Sequence, residues 1–166
     1  MTIADRWSGS GGKSMRIRPC RAEDVDAVRA LMREYQADIG VDLCFQGFDA
    51  ELAGLPGAYA EPKGLLLCAE AEDRPVGCIA LRPVDGDTAE MKRLFVQPAH
   101  RGKGLAQALV VELIRRAREL GYVRICLDTL PGMASAQALY ASLGFRDIPA
   151  YAHNPVAGAR YMGLSL

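Results

Sequence analysis

The chain contains two kinds of regular hydrophobic pattern, one typical of helices and one typical of strands. In the helical kind, apolar residues recur every three or four positions, which places them along one face of a helix. Gly40 and Gly121 follow the two longest of these stretches and are expected to end them. The predicted helices cover residues 21–40, 49–55, 104–120 and 135–143.

Short runs rich in Val, Ile, Leu and Cys lie between the helices and predict strands. Those at Leu65–Ala71 and 76–82 flank a turn around Asp73 and should form a hairpin. A shift in the apolar alternation near the end of 88–96 indicates a bulge there. The other strands are predicted at 15–19, 122–128 and 160–166. This order, β-α-α-β-β-β-α-β-α-β, predicts one mixed α/β domain with both antiparallel and parallel strand pairs.

The composition is that of an ordinary globular domain without net charge. The chain has 166 residues, half of them hydrophobic, and 20 basic against 20 acidic side chains. Such a balance gives no general attraction for nucleic acid or an anionic membrane, and the longest apolar runs are too short to span a bilayer. Residues 1–14 are polar and lack the apolar segment of a signal peptide. We expect a flexible leader or tag remnant there, and a cytoplasmic domain over 15–166.

The cysteines and histidines form no recognisable metal or redox motif. The chain has five cysteines and no C-x-x-C pair, and Cys68, Cys78 and Cys126 lie in apolar runs. We therefore expect buried thiols in a reducing cytosol. The two histidines, His100 and His153, are isolated and provide no ligand set, so no metal cofactor is expected.

The stretch QPAHRGKGLAQALV joins a predicted strand to the helix that follows it. Free N–H groups in the first turn of a helix converge at its positive end, where a phosphate can bind. Gly102 and Gly104 would let an anion approach the backbone, and Arg101 and Lys103 would add positive charge. A phosphate cradle and a solvated polar turn both fit this spacing.

These residues resemble the acetyl-coenzyme A signature of the GNAT acetyltransferase superfamily, Q/R-x-x-G-x-G/A, at Arg101, Gly104 and Ala106. The segment ASAQALYASLGF, residues 134–145, resembles a second family motif, A-x-x-L-Y-x-x-x-G-F. The opening MRIRPCRAEDVDAVRALM is similar to the family's first strand and helix, so the resemblance covers about residues 15–166. AEMKRLFV, LDTLPGM and the closing NPVAGARYMGLSL are similar to a bacterial subgroup with small-molecule substrates.

The resemblance implies a fold and a cosubstrate. The fold would be a central mixed, mostly antiparallel sheet, flanked by helices and splayed at the acetyl-CoA site; a homodimer is common in the family. Backbone groups of Leu94, Phe95 and Val96 would hold the pantetheine arm and polarise the thioester carbonyl. Met133 stands where many members have an Asn that contacts the coenzyme, and Ser135 is a substitute. The backbone that would bind the pyrophosphate is that of Arg101, Gly102, Lys103, Gly104, Leu105 and Ala106.

Acetylation of an amine requires removal of a proton, since an alkylamine with a pKa near ~10.4 is almost fully protonated at neutral pH. Glu90 occupies a strand position where several family members carry a catalytic Glu, which makes it the predicted base. Tyr140 occupies the position of the acid that protonates the leaving thiolate. Both also have structural interpretations: Glu90 as the partner of Lys92 or Arg82, and Tyr140 as a core aromatic.

The acceptor is not defined by the sequence. Tyr35, Asp38, Arg93 and Tyr151 are expected to border its site, because the first helix and the last loop do so in the family. Asp38 or Glu90 would favour a cationic amine, whereas Arg93 would favour an acceptor with a carboxylate. The main hypothesis is direct acetyl transfer from acetyl-CoA to a small amine. The alternatives are acetylation of a protein lysine or N-terminus, and a non-catalytic coenzyme A sensor.

Overall fold

The computed structural model describes residues 7–8 and 14–166, which form a single mixed sheet with helices on both faces. The predicted leader therefore lies largely outside the described residues, although Trp7–Ser8 form a short strand. The sheet has eight strands in the order β1-β2-β3-β4-β5-β6-β8-β7. These are β1 Trp7–Ser8, β2 Ser14–Pro19, β3 Leu65–Ala71, β4 Arg74–Pro83, β5 Thr88–Val96, β6 Arg124–Thr129, β7 Arg146–Asp147 and β8 Arg160–Ser165.

The helices lie close to their predicted bounds: α1 Val25–Ile39, α2 Phe48–Ala53, α3 Leu105–Glu119 and α4 Ala134–Ser142. Gly40 ends α1 in the left-handed conformation, as its lack of a Cβ allows. The apolar stripe of α3, including Leu105, Leu109 and Leu113, is buried against one face of the sheet. A second hydrophobic core is formed by residues of α1, α2 and the central strands, and it contains Val28, Leu31 and Phe48.

The sheet opens between β5 and β6, its parallel pair. These two strands pair only over Thr88–Glu90 with Arg124–Cys126. Beyond that point β5 continues along β4 and β6 continues along β8, so the two strands separate. The splayed, mostly antiparallel mixed sheet expected from the family resemblance is confirmed.

The bulge predicted near the end of β5 is present and is centred on Arg93. Cys78 pairs with Phe95 and Ala80 with Lys92, which leaves two residues of β5 opposite one residue of β4. Arg93 has a φ of 61°, a left-handed conformation that is uncommon for a side chain larger than Gly or Asn. The bulge changes which side chains of β5 face each side of the sheet just where the strand leaves β6.

The prediction of unpaired thiols is only partly right. Cys78 and Cys126 are free and buried. Cys68, however, is joined to Cys20 by a disulfide, and Cys44 is exposed. The pairing follows from the sheet, because Cys20 continues β2 beside β3 and its N–H donates to the Leu66 carbonyl. Among the described residues, no helix combines the length and apolar character needed to cross a membrane.

Candidate active site

The loop before α3 has a backbone conformation that depends on two glycines. Gly102 and Gly104 have φ of 74° and 78°, which favours glycine at both positions. Gly104 directly precedes the helix, whose first-turn N–H groups point towards the loop. A Cβ at Gly102 would meet no atom within 4 Å, so the approach to this end of the helix is open.

A cavity of about 750 Å³ lies in front of this loop. It runs from the start of α3 along the end of β5 to residues 130–136, and it also reaches α1. Its lining is largely apolar away from the α3 end. The lining residues are Tyr35, Asp38, Ile39, Val41, Leu94–Val96, His100–Gly102, Gly104–Ala106, Leu130–Ala136, Leu139, Val156 and Ala157.

Arg101 is folded back onto the strand rather than extended into solvent. Its Nε donates to the Val96 carbonyl at 2.8 Å, and Nη2 donates to the Asp38 carboxylate at 3.1 Å. The guanidinium also lies 5.5 Å from the centre of the Phe95 ring. These contacts place a positive charge beside the large cavity and anchor the loop to β5.

A second, smaller cavity of about 30 Å³ lies where β5 and β6 separate. It shares Tyr35, Leu94, Leu130 and Met133 with the large cavity, so the two adjoin. Its lining carries both signs of charge, whereas the wall of the large cavity away from α3 is apolar. The other lining residues are Leu43, Phe45, Gln46, Met91, Lys92, Arg93, Leu127, Asp128, Thr129, Tyr140 and Asn154.

Glu90 is buried beneath this small cavity and lines neither cavity. Its Oε1 accepts from Arg82 Nε at 2.8 Å, and its Oε2 accepts from the Tyr151 hydroxyl at 2.6 Å. Lys92 Nζ is 3.8 Å from Oε1. Burial and the neighbouring Glu90 raise the pKa of Tyr151, so this hydroxyl remains a donor to the carboxylate. The predicted ion pairing of Glu90 is therefore present, and both carboxylate oxygens are occupied.

Arg93 is similarly engaged with a carboxylate. Its Nε and Nη2 donate to the two oxygens of Glu51 on α2 at 2.8 and 3.0 Å. The guanidinium also lies 5.0 Å from the Phe48 ring centre and 5.9 Å from that of Tyr35. Although Arg93 lines the small cavity, its charge is neutralised by Glu51.

The small cavity has two other charged lining residues, Lys92 and Asp128. Within the described part of the chain, neither forms a bidentate ion pair like that of Arg93. Lys92 Nζ donates to Gln46 Oε1 at 3.2 Å, and burial lowers the pKa of this ammonium. Asp128 is half-buried, and its Oδ2 accepts from Asn154 Nδ2 at 2.9 Å.

Tyr140 lies at the boundary between core and cavity. Its side chain is buried and packs against Phe145, with ring centres 5.8 Å apart. It also lines the small cavity, and burial raises the pKa of its hydroxyl above the ordinary value of 10.0. The hydroxyl is therefore protonated at neutral pH.

The sequence-predicted residues fall into three groups. Tyr35, Asp38, Leu94, Phe95, Val96, Arg101, Gly102, Gly104, Leu105, Ala106 and Ser135 line the large cavity. Arg93 and Tyr140 line the small one, which Tyr35 and Leu94 also reach. Lys103, Glu90 and Tyr151 line neither.

Sequence reasoning missed Lys92, Asp128 and the apolar wall at Leu130 and Val156. Lys92 and Asp128 lie two residues beyond the paired Glu90 and Cys126, on the same faces of their strands. This alternation could have identified them if the parallel register had been known.

Comparison with known proteins agrees with this architecture. The sequence profile of the Acetyltransferase (GNAT) family matches residues 28–145. An N-acetyltransferase of Schizosaccharomyces pombe is 40% identical over 87% of this chain and 90% of its own length. A GNAT-family acetyltransferase of Staphylococcus aureus superposes with a TM-score of 0.77 at 21% identity, over 91% of this chain and 98% of its own.

The protein yncA of Salmonella typhimurium, solved with its cofactor acetyl-CoA, superposes with a TM-score of 0.69 at 24% identity. The match covers 91% of this chain and 93% of that one. The expected bacterial subgroup is not confirmed, since the yeast protein is a eukaryotic relative. The profile match and the yeast relative together show that the chain belongs to the acetyltransferase (GNAT) family of enzymes.

Proposed function

We propose that the protein transfers the acetyl group of acetyl-CoA to a primary amine of a small molecule, by direct attack within a ternary complex. The observation that carries this proposal is the pair of adjoining cavities at the split between β5 and β6. The large one ends at the anion-binding turn of α3, and the small one carries charged groups that suit a polar head group. Two substrates can therefore meet at the residues that the cavities share.

The large cavity suits acetyl-CoA in both size and chemistry. Its volume of about 750 Å³ lies within the usual range of ligand sites. The α3 N-terminus and Arg101 would bind the pyrophosphate, and the end of β5 that has separated from β6 would bind the pantetheine arm. Ser135 lies at the start of α4 on the same cavity, where it is available to the coenzyme.

The amine would attack the thioester carbonyl carbon, forming a C–N bond as the C–S bond breaks. A protonated amine loses two protons in this reaction: one ends on the coenzyme A sulfur and the other is released. Tyr140 is the proposed donor to the sulfur because its hydroxyl is protonated and lines the small cavity. Positioning of the two substrates at the split would supply a further ~7–11 kcal/mol of the barrier reduction.

Glu90, the base predicted from the sequence, could act only under a geometric requirement. Both of its oxygens are held, by Arg82 and by Tyr151, so a contact must be released before it can accept a proton directly or through water. The restricted volume of the small cavity, about 30 Å³, favours a compact amine head group. A homodimer also remains a prediction, which light scattering of the purified protein would test.

Thermal unfolding with acetyl-CoA is the first test, with ATP and NAD as controls. A ligand at 100 times its Kd stabilises a protein by about 2.7 kcal/mol, which is readily visible in a domain of this size. We expect a shift with acetyl-CoA that exceeds those with ATP and NAD. A panel of alkylamines, amino acids and polyamines should then give amine-dependent thiol release. A thermal shift without thiol release from any amine or peptide would instead favour a coenzyme A sensor.

A further inference from the structure

We infer that Asp128 is the residue that binds the acceptor ammonium and accepts its proton. This inference rests on the proposed acetyl transfer and assigns the acceptor end of that reaction. It begins with the strand register. Because Glu90 pairs with Cys126, the next residues on the same faces of β5 and β6 are Lys92 and Asp128. They lie on either side of the split, just beyond its last paired residues.

Four carboxylates in this region differ in the type of group that donates hydrogen bonds to them. Glu90 accepts from Arg82, Glu51 from Arg93 and Asp38 from Arg101, so each has an arginine partner. Among the described residues, the hydrogen bond to the Asp128 carboxylate comes from a neutral amide, that of Asn154, and uses Oδ2. Oδ1 is therefore available to a ligand, and no arginine of the described residues is paired with this carboxylate.

Asp128 also lies where an acceptor must be. It lines the small cavity together with Tyr140 and with the residues shared with the large cavity. Glu90, in contrast, lines neither cavity. A base must reach the proton it removes within hydrogen-bond distance or through one water, and of these two carboxylates only Asp128 faces the cavity.

Two neighbouring groups orient the Asp128 carboxylate or face it across the cavity. Lys92 faces the same cavity from β5 and interacts favourably with the Asp128 charge. The Asn154 amide holds one oxygen and orients the carboxylate. An incoming R–NH₃⁺ would donate one proton to Oδ1, and the resulting R–NH₂ would attack the thioester. As the C–S bond breaks, the second amine proton would replace the one that Tyr140 gives to the sulfur. Asp128 would then return its proton to solvent before the next turnover.

Asp128→Asn tests this assignment because it keeps the size and polarity of the side chain while removing its basicity. We expect amine-dependent thiol release to fall by about 10²–10⁴-fold in kcat/KM for the amine. The thermal shift with acetyl-CoA should be unchanged, which shows a folded cosubstrate site. Asp49→Asn removes the same charge from an exposed position on α2 and should retain the wild-type rate.

Asp128→Ala provides a readout that a structural role would not produce. Added formate is a small carboxylate that can occupy the vacated space. It should therefore restore part of the lost rate in Asp128→Ala, and it should leave the wild-type rate unchanged. An Asp128→Asn variant within about twofold of the wild type, or an Asp128→Ala variant insensitive to formate, would overturn the inference while acetyl transfer stands. A wild-type protein that acetylates no amine would overturn the proposed function, and the inference with it.

Discussion

The two adjoining cavities are constructed in different ways. The large cavity ends at a turn that presents backbone N–H groups at the start of α3, and two positions of this turn are glycines with positive φ. The small cavity is instead lined by charged side chains, Lys92, Arg93 and Asp128, and charged groups in and beneath it are held by partners from distant segments of the chain. Arg93 is joined to Glu51, and Glu90 to both Arg82 and Tyr151.

This difference determines how each cavity responds to amino-acid substitution. A backbone site binds the same phosphate chemistry as long as the turn keeps its conformation, almost regardless of the neighbouring side chains. A site made from paired side chains changes its preference with each substitution, because an unpaired buried charge is costly. Under the proposed function, the large cavity is therefore the end that tolerates side-chain substitution, and the small cavity is the end whose preference a substitution changes.

The largest expected effect comes from breaking the backbone turn. Gly104→Trp places a bulky side chain in front of the helix at a φ of 78°, where it is strained and obstructs the large cavity. We expect it to abolish thiol release and the thermal shift with acetyl-CoA. Gly86→Trp is the matched control, since Gly86 is exposed and a Cβ there meets nothing within 4 Å. Wild-type binding by Gly104→Trp would show that the turn does not bind the cosubstrate.

The next effect tests whether the acceptor end depends on paired charges. Glu51→Gln leaves the Arg93 guanidinium buried without its carboxylate, which should lower the free energy of unfolding by about 3–5 kcal/mol. Urea denaturation measures this change. Glu23→Gln removes an exposed carboxylate that lies 3.4 Å from Arg21, and it should cost at most about 1 kcal/mol. Equal costs in the two variants would show that the Glu51–Arg93 pair does not support the small cavity.

The sequence predicted the strand, turn and helix at the α3 end of the large cavity because their determinants are local. The two glycines, the strand before them and the apolar stripe after them all lie within residues 88–120, and α3 begins one residue after Gly104. The bulge at Arg93 was similarly visible as a shift in alternation along β5.

The acceptor end could not be predicted in the same way because its contacts join residues far apart in sequence. Glu51 and Arg93 are 42 positions apart, and Glu90 and Tyr151 are 61 apart. No periodicity or motif encodes which carboxylate meets which arginine until the strand register is known. The Cys20–Cys68 disulfide, with a separation of 48, was missed for the same reason.

Tyr140→Phe tests the proposed proton donor, which lines the small cavity. Loss of the hydroxyl should lower kcat by about 10²-fold, through slower protonation of the thiolate, while the thermal shift with acetyl-CoA is retained. Because burial raises the pKa of Tyr140 above 10.0, its titration should produce no basic limb in the pH–rate profile below that pH. Tyr122→Phe removes the hydroxyl of another buried tyrosine, which donates to the Lys63 carbonyl outside both cavities, and should not change kcat. An unchanged kcat in Tyr140→Phe would show that Tyr140 is a core aromatic residue and not the proton donor.

The smallest expected effect concerns a charged side-chain pair beside the large cavity, near the start of α3. Asp38 and Arg101 are both about half-exposed, so their ion pair should contribute no more than about 1 kcal/mol to stability. Asp38→Asn removes a negative charge that competes with phosphates for Arg101. Acetyl-CoA should therefore bind up to roughly fivefold more tightly, measured by calorimetry at low salt, and the gain should shrink as salt screens the charges. Asp49→Asn, which changes net charge equally but lies away from the large cavity, should leave the affinity unchanged. Weaker binding by Asp38→Asn would mean that the carboxylate orients Arg101 for the cosubstrate, and that side-chain pairing is essential at both ends of the site.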